Sequence, residues 1–217
     1  MSSLALMRWL EGTPDRYDAG MRALTFGRVD RLHEAVAAAA VEKPGDAVLE
    51  IGCGTGSVTV LLRALQARVT ALDQAPEMLE QARARFAPGE PIEWIERTAS
   101  EIDALPEGAF RSVVLSLCLS DMSRSERAFV LREAARRLAP GGRLVVADEV
   151  HSRGPIRRAL QQLWRIPQAA LAWLLVGTVS SPIPDLTGEL EAAGLVVLEE
   201  KEWLFGSLAL AVAERSA

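Results

Sequence analysis

The sequence predicts an α/β fold: a doubly wound, mostly parallel seven-stranded sheet with a helical lid inserted before the last strands. Three observations predict it. Val48-Leu49-Glu50-Ile51-Gly52-Cys53-Gly54-Thr55-Gly56 is an apolar run that meets an acidic residue and then three glycines at alternate positions. That is how a buried parallel strand reads when it feeds a tight loop and then a helix. A second apolar run, Arg68-Val69-Thr70-Ala71-Leu72, ends in Asp73 after one helix-length segment. Strand-like and helix-like segments then alternate through residue 147, the order expected of an open parallel sheet.

Met1–Gly12 reads as a short amphipathic lead-in with Trp9 and Leu10 as docking residues. Asp15–Gly27 is less regular and holds the only tyrosine, Tyr17. Arg28–Val41 has helical spacing through Val29, Leu32 and Val36, and Pro44-Gly45 stops it. Ala47–Ile51 is strand one, Ser57–Gln66 the first crossover helix and Val69–Leu72 strand two. Pro76–Phe86 is a helix with proline near its start. Ile92–Ile95 is strand three, and Ala99–Gly108 is a loop region rich in acids and prolines. Ser112–Leu117, almost wholly apolar, is a central strand four. Arg124–Leu138 is the next helix, and Pro140-Gly141-Gly142 is a tight turn into strand five, Arg143–Ala147.

After Asp148 the character changes. Ala169–Val176 is apolar but too short and interrupted to cross a bilayer, so Pro155–Val179 reads as a helical hairpin or lid. Leu186–Ala193 is a helix stopped by Gly194, and Val196–Leu198 and Leu204–Ala213 are two strands separated by a turn around Lys201. The whole reads as a single domain over 1–217. It comprises a helical cap (1–44), a cofactor-binding core (45–150), an apolar lid (151–185) and a final helix with a strand pair (186–217).

The glycine loop narrows the ligand. A dinucleotide loop needs Gly-x-Gly-x-x-Gly facing a pyrophosphate, whereas here the glycines fall at 52, 54 and 56 with Val58 and Thr59 beyond. A phosphate loop needs Gly-Lys-Ser/Thr, and Gly56-Ser57-Val58 has no lysine. Glu50 would repel a pyrophosphate but can pair with an ammonium, and Asp73 is placed to accept from ribose hydroxyls. A ligand with an ammonium and a ribose but no phosphate fits, and S-adenosylmethionine is such a ligand.

On these residues the chain resembles the class I S-adenosylmethionine-dependent methyltransferases, which share a Rossmann-like sheet. The resemblance covers residues 15–150 and is closest in Val48–Gly56, Ala71–Leu79 and Leu138–Asp148. It implies that Gly52, Gly54 and Gly56 cradle the amino-acid part of the cofactor. It further implies that Glu50 braces that loop or its ammonium and that Asp73 holds the ribose. Cys53, Gln74, Glu101 and Leu117 join the cofactor-binding positions, with Met78 and Ser100 at the adenine. Two departures stand out. The Gly-Asp-Ala segment common after strand three is replaced by Thr98-Ala99-Ser100, with Glu101 next, and the usual Phe-Asp before strand four is Phe110-Arg111.

Composition sets outer limits. The 217 residues suit one domain with a sizeable core, and 49% hydrophobic content argues against disorder. A net charge of -5 and interleaved basic residues make nucleic acid an unlikely partner. Cys53 and Cys118 make a poor disulfide framework, and neither has metal-ligand spacing to His33 or His151. A reducing, cytoplasmic compartment and no metal are therefore expected. The N-terminus has no signal-peptide pattern.

Methyl transfer from a sulfonium is a direct displacement, so the site aligns acceptor, methyl and sulfur and excludes water. A base is needed only where the acceptor loses a proton. His151, just past a rim carboxylate, is read either as that base or as a loop residue without a chemical role. Asp121 and Glu149 are candidates for contact with a polar or cationic acceptor. Tyr17 is a candidate to close over the cofactor, because related enzymes carry Tyr-Asp near the N-terminus. His33 is read as surface or cap packing. Residues 155–179, with Trp164, Trp173 and flanking arginines, admit three readings: core packing, an apolar acceptor pocket, or contact with a membrane surface or protein partner.

The leading expectation is a methyltransferase for a small hydrophobic or amphipathic acceptor, such as a quinone precursor, a lipid headgroup or a secondary metabolite. In layout the chain resembles the ubiquinone/menaquinone-biosynthesis-like group. A closer likeness is to small corrinoid protein-associated methyltransferases. It lies in Arg16-Tyr17-Asp18, Thr25-Phe26-Gly27-Arg28, Leu117-Cys118-Leu119-Ser120-Asp121, Ala147-Asp148-Glu149-Val150 and the Trp/Pro-rich stretch that follows. That likeness implies a partner protein, or a thiol or metal-bound acceptor. A non-catalytic S-adenosylmethionine-binding protein is the alternative class. A protein or tRNA methyltransferase is disfavoured, since no Asn-Pro-Pro-Tyr-like signature follows strand four.

Overall fold

The computed structural model describes residues 27–152 and 181–215, together with Arg22 and Thr25. Tyr17, the lead-in segment and the lid at 155–179 lie outside the described residues. Among those described, no helix is long and apolar enough to cross a membrane.

Helix α1 (Arg28–Ala40) starts after Gly27, and the Thr25 hydroxyl accepts from the Val29 N–H at 3.1 Å. There follow β1 (Ala47–Ile51), α2 (Ser57–Ala64), β2 (Arg68–Asp73), α3 (Pro76–Ala84) and β3 (Ile92–Glu96). A 3-10 segment at Ala99–Ala104 leads into β4 (Phe110–Ser116), and another at Leu119–Asp121 into α4 (Arg124–Arg137) and β5 (Leu138–Glu149). The last elements are α5 (Leu186–Ala192), β6 (Leu195–Trp203) and β7 (Leu208–Arg215).

The seven strands form one sheet in the order β3-β2-β1-β4-β5-β7-β6. The first five are parallel, and β7 runs antiparallel between β5 and β6. Chain order reverses between β1 and β4, so the crevice above their carboxyl ends is the natural ligand position. The strands are apolar on both faces, yet alternation still sorts them. Leu49, Ile51, Val113, Leu115, Leu144 and Val146 pack on the side of α4 and α5. Val48, Val69, Val114 and Val145 pack on the side of α1 and α2 with Leu32, Val36 and Leu62. Burial of such side chains at roughly 25 cal/mol per Å² is the main force holding the layers together.

Two arginines tie the α4 side. Arg127 forks onto Glu189 with both bonds at 2.7 Å, joining α4 to α5. Arg137 is buried, bonds Glu133 at 3.0 Å and donates to the carbonyls of Ile102, Asp103 and Leu105. The 3-10 segment is thereby fastened to α4.

Two expectations need correction. The final hairpin does not turn at Lys201, which pairs with Leu210 inside β6. The chain reverses at Leu204–Gly206, where φ is 51° at Leu204 and 84° at Gly206. Glu199–Glu202 resemble a turn only because an edge strand tolerates charge. Pro140-Gly141-Gly142 is not a separate turn but the irregular start of β5, with a register shift opposite Phe110 and Ser112. Arg111 lies at the opposite end of β4 from the crevice, where Glu42 accepts from it at 2.5 Å and from Arg143 at 2.6 Å. It therefore has no bearing on the cofactor end.

Candidate active site

A cleft of about 350 Å³ opens above the carboxyl ends of β1, β2 and β4. One wall comes from α1, and the segment after β3 closes the far side.

The glycine loop forms its floor. Gly52, Gly54 and Gly56 have φ of 71°, 53° and 79°, backbone that side chains with a Cβ rarely adopt. Their reasons differ. A Cβ on Gly52 would sit 2.9 Å from Cys118 Cβ, and one on Gly56 would sit 3.0 Å from Ala82 Cβ. Those two glycines serve packing within the protein, and Gly56 does not line the cleft. A Cβ on Gly54 would meet nothing within 4 Å, so this glycine faces open space inside the cleft. The loop is held against β2 because the Gly52 and Cys53 N–H groups both donate to the Leu72 carbonyl, at 2.8 and 3.0 Å.

Asp73 braces the same loop. Its Oδ2 accepts from the Gly54 N–H at 2.7 Å and its Oδ1 from the Ala75 N–H at 2.9 Å. Burial raises its carboxyl above the ordinary range, opposed by the N–H groups of Ala75, Gly54 and Gln74. Glu50 is 2% exposed, and its one hydrogen-bond partner among the described residues is the Thr59 hydroxyl, which donates at 2.6 Å. Burial, with the Asp73 charge beside it, pushes the Glu50 carboxyl up to about 8 despite that bond. Among the described residues no lysine, arginine or histidine forms an ion pair with Glu50. The Ser116 hydroxyl at the end of β4 is buried without a partner and also lines the cleft.

The other side is built by Asp148. This fully buried residue of β5 accepts from the N–H groups of Leu119 at 2.7 Å, Ser120 at 3.2 Å and Glu149 at 2.7 Å. Burial lifts its carboxyl to about 6 against those bonds and the Ser120 hydroxyl. The turn so held presents Leu117, Cys118, Asp121 and Met122 to the cleft. Leu117 sits at φ 55°, and its N–H donates to Ala147 at 2.8 Å. Such backbone in a non-glycine residue is strain that the surroundings must enforce. Asp121 is exposed on its outer side, while protein behind it withdraws water and, with the Glu149 charge, raises its carboxyl. Burial pushes both thiols up, with nearby carboxylates adding to it. Neither cysteine is therefore an activated nucleophile.

Glu50, Gly52, Cys53, Gly54, Asp73, Gln74, Met78, Ser100, Leu117 and Asp121 all line this one cleft. Glu101 does not. It occupies the third position of a capping box, where its carboxylate accepts from the Thr98 N–H at 3.0 Å and hydroxyl at 2.9 Å. Those bonds hold its carboxyl below the usual range. The carboxylate expected near the adenine is thus turned back on its own segment, and Thr98, Ala99 and Ser100 line the wall instead. His151 is also off the cleft; its backbone N–H donates to Ile183 at 3.0 Å. His33 is on it, beside Asp30 and Arg22, which pair at 3.1 Å. Val29, Asp30 and His33 reach the cleft through the phase of α1 against the sheet, which helical spacing alone does not fix. Ser116 gave no sequence signal beyond its place at a strand end.

This donor set suits S-adenosylmethionine. Buried carboxylates without a cationic partner call for a cation, the orphan Ser116 hydroxyl needs a partner, and Gly54 leaves room for one to approach. When bound, that cofactor would supply an electrophilic methyl group on a sulfonium.

Residues 48–142 match the model of the methyltransferase domain family. The chain is 37% identical over 136 residues to a demethylmenaquinone methyltransferase of Thermus thermophilus, across 61% of this chain and 60% of that protein. It thus spans about three fifths of that relative's length. It is 30% identical over 216 residues to a 2-phytyl-1,4-naphtoquinone methyltransferase of Thermosynechococcus vestitus, across 92% of this chain and 94% of that one. Among solved structures, an S-adenosylmethionine-dependent methyltransferase from Mesorhizobium loti has the same fold, with a TM-score of 0.63 at 22% identity over 83% of this chain and 96% of that one. With a relative matched along nearly its whole length, and with this sheet and loop, the chain belongs to the class I S-adenosylmethionine-dependent methyltransferases.

Proposed function

We propose that the protein is a cytoplasmic enzyme that transfers the methyl group of S-adenosylmethionine to a ring carbon of a small hydrophobic or amphipathic acceptor, a reduced naphthoquinone with a hydrocarbon tail. The observation that carries the reading is the convergence of Glu50, Asp73 and the open face of Gly54 on one cleft. The names of the Thermus and Thermosynechococcus relatives, a demethylmenaquinone methyltransferase and a 2-phytyl-1,4-naphtoquinone methyltransferase, support the acceptor class. The apolar sequence at 155–179 suits a hydrocarbon tail.

In this reading Asp73 receives the ribose hydroxyls while it holds the Gly54 N–H, and Glu50 with Ser116 faces the ammonium. Charge-assisted bonds of this kind fix position as well as contribute affinity. The turn held by Asp148 sets the acceptor in line with the methyl, which is where alignment lowers the barrier. Transfer breaks the sulfur–methyl bond and forms a carbon–methyl bond, and the ring carbon must then lose its proton. Asp121 takes that proton, helped by a carboxyl raised above its ordinary range.

The test is methyl uptake, followed by mass spectrometry, onto a 2-prenylated 1,4-dihydroxynaphthalene held reduced. Carbon methylation that falls on Asp121→Asn with cofactor affinity retained is the expected result. A protein that binds S-adenosylhomocysteine but leaves this acceptor untouched overturns the acceptor class. Uptake by a thiol or by reduced cobalamin instead would favour the partner-protein reading carried by residues 117–121 and 147–150.

A further inference from the structure

We propose that Glu50 stands in the free protein as a neutral acid and releases its proton when the cofactor's ammonium docks, so that cofactor binding and proton release are one event. The inference deepens the reading of the cleft as an S-adenosylmethionine site and rests on it.

The geometry comes first. Glu50 lies within β1, paired in register with Ala71 of β2 and Val114 of β4. Its surroundings are enclosed by protein except toward the cleft. The groups facing it come from every neighbouring element. From α2 comes the Thr59 hydroxyl at 2.6 Å. From the end of β2 comes Asp73, of the same sign. The end of β4 brings the Ser116 hydroxyl, the turn after it the Cys118 thiol, and the loop itself the Cys53 thiol. Across the cleft α1 presents Asp30 and His33, while Arg22 is paired to Asp30 and Arg97 stands on the opposite wall. None of the cations forms an ion pair with Glu50. A carboxylate enclosed in this way would be a buried charge without a counter-ion, and such groups keep their proton. The upward displacement of its carboxyl to about 8 agrees with that account.

Asp73 and Asp148 differ. Each is buried or half-buried, but each accepts several backbone N–H bonds that favour its charged form. Glu50 has a single hydroxyl donor. It is the carboxyl on this floor whose charge awaits a ligand. An amino-acid ammonium, beside its own carboxylate, is charged at pH 6.5. It brings the missing counter-ion, the carboxylate becomes the favoured form, and the displaced proton passes to solvent. Cofactor affinity then rises as pH rises toward 8, by up to about tenfold per pH unit where one proton is lost.

The test is calorimetry at pH 6.5 in buffers of different ionisation enthalpy, with two ligands. S-adenosylhomocysteine carries the ammonium; 5′-methylthioadenosine keeps the nucleoside and lacks it. The wild-type protein should release close to one proton with the first and none with the second. Glu50→Gln, whose amide oxygen can still accept from Thr59, should bind S-adenosylhomocysteine with no proton release. Thr59→Val, which removes the one bond favouring the carboxylate, should shift the release to higher pH. Buffer-independent heats in the wild type, or equal release from Glu50→Gln, overturn the proposal while leaving the cofactor site intact. Failure of both S-adenosylhomocysteine and S-adenosylmethionine to bind overturns the cofactor reading itself. Carboxyl carbon NMR of the free protein judges Glu50 without any ligand: titration near 8 supports the proposal, and titration near the ordinary value of 4.5 overturns it.

Discussion

Asp73→Asn is the most informative single change, because it separates holding the loop from holding the ligand. The two carboxylate oxygens each accept a backbone N–H, from Gly54 at 2.7 Å and from Ala75 at 2.9 Å. Asparagine keeps one acceptor oxygen and turns the other into a donor, so one of these bonds becomes a donor facing a donor. A bond to a charged acceptor contributes about 1.5–3 kcal/mol, and the site is part-buried, so the variant should lose about that much stability. The assay is urea unfolding of the ligand-free protein, fitted with a shared slope. Calorimetry with S-adenosylhomocysteine should show a parallel loss, on the order of tenfold to a hundredfold for the same energy. Weaker binding with undiminished stability would mean that Asp73 acts on the ligand alone. A variant unchanged in both would refute the account of the loop.

The glycines offer a paired test. Gly56→Ala places a Cβ 3.0 Å from Ala82 at a φ of 79° and should destabilise by about 2 kcal/mol, with part regained in the double variant with Ala82→Gly. Gly54→Ala meets no atom within 4 Å and should cost only about 1 kcal/mol of stability while weakening cofactor binding more than Gly56→Ala does. Arg127→Met leaves Glu189 without its fork of two 2.7 Å bonds, a loss of about 3–5 kcal/mol for a pair this buried, read by thermal or urea unfolding. For Glu50 the folded carboxyl sits near 8 against 4.5 unfolded. Its stabilising effect is therefore complete below about pH 4.5 and lost as pH rises toward 8, at up to about 1.4 kcal/mol per pH unit. The stability of the ligand-free Glu50→Gln variant should fall less over that range, and equal slopes would count against a raised carboxyl.

Much of this was legible because it is local. Val48–Ile51 and Ser112–Ser116 carry their two-residue alternation in apolar side chains, and the loop after Ile51 needs glycine where φ turns positive. Asp73 follows from the length of one strand. The misreadings arose where one residue type serves two purposes. Glu101 is a carboxylate near the right strand end, but Thr98-Ala99-Ser100-Glu101 also spells a capping box, and the local bonds win because their partner is three residues away. Glu199–Glu202 suggested a turn, whereas the sheet order that makes β6 an edge strand is a long-range fact. His33 needed the phase of α1 against the sheet, which spacing alone leaves open to rotation by one face.

Three carboxyl groups at the carboxyl ends of β1, β2 and β5 stand on one rim, and their bonding divides the work among them. Buried acids lower the stability of a fold that could hold apolar side chains instead, so each must be matched by something. Asp148 is matched within the protein: three N–H groups and a hydroxyl support it, and they shape the turn from Leu117 to Met122. Asp73 is matched in part, since its backbone bonds hold Gly54 while one side remains open to the cleft. Glu50 is matched by a single hydroxyl. In the proposed reading the progression runs from a carboxylate that builds the site, through one that builds and binds, to one whose partner is a cation brought from outside. A neutral nucleotide would leave Glu50 unmatched and a phosphate would be repelled. A ligand with an ammonium beside a ribose would supply the partners that Glu50 and Asp73 lack.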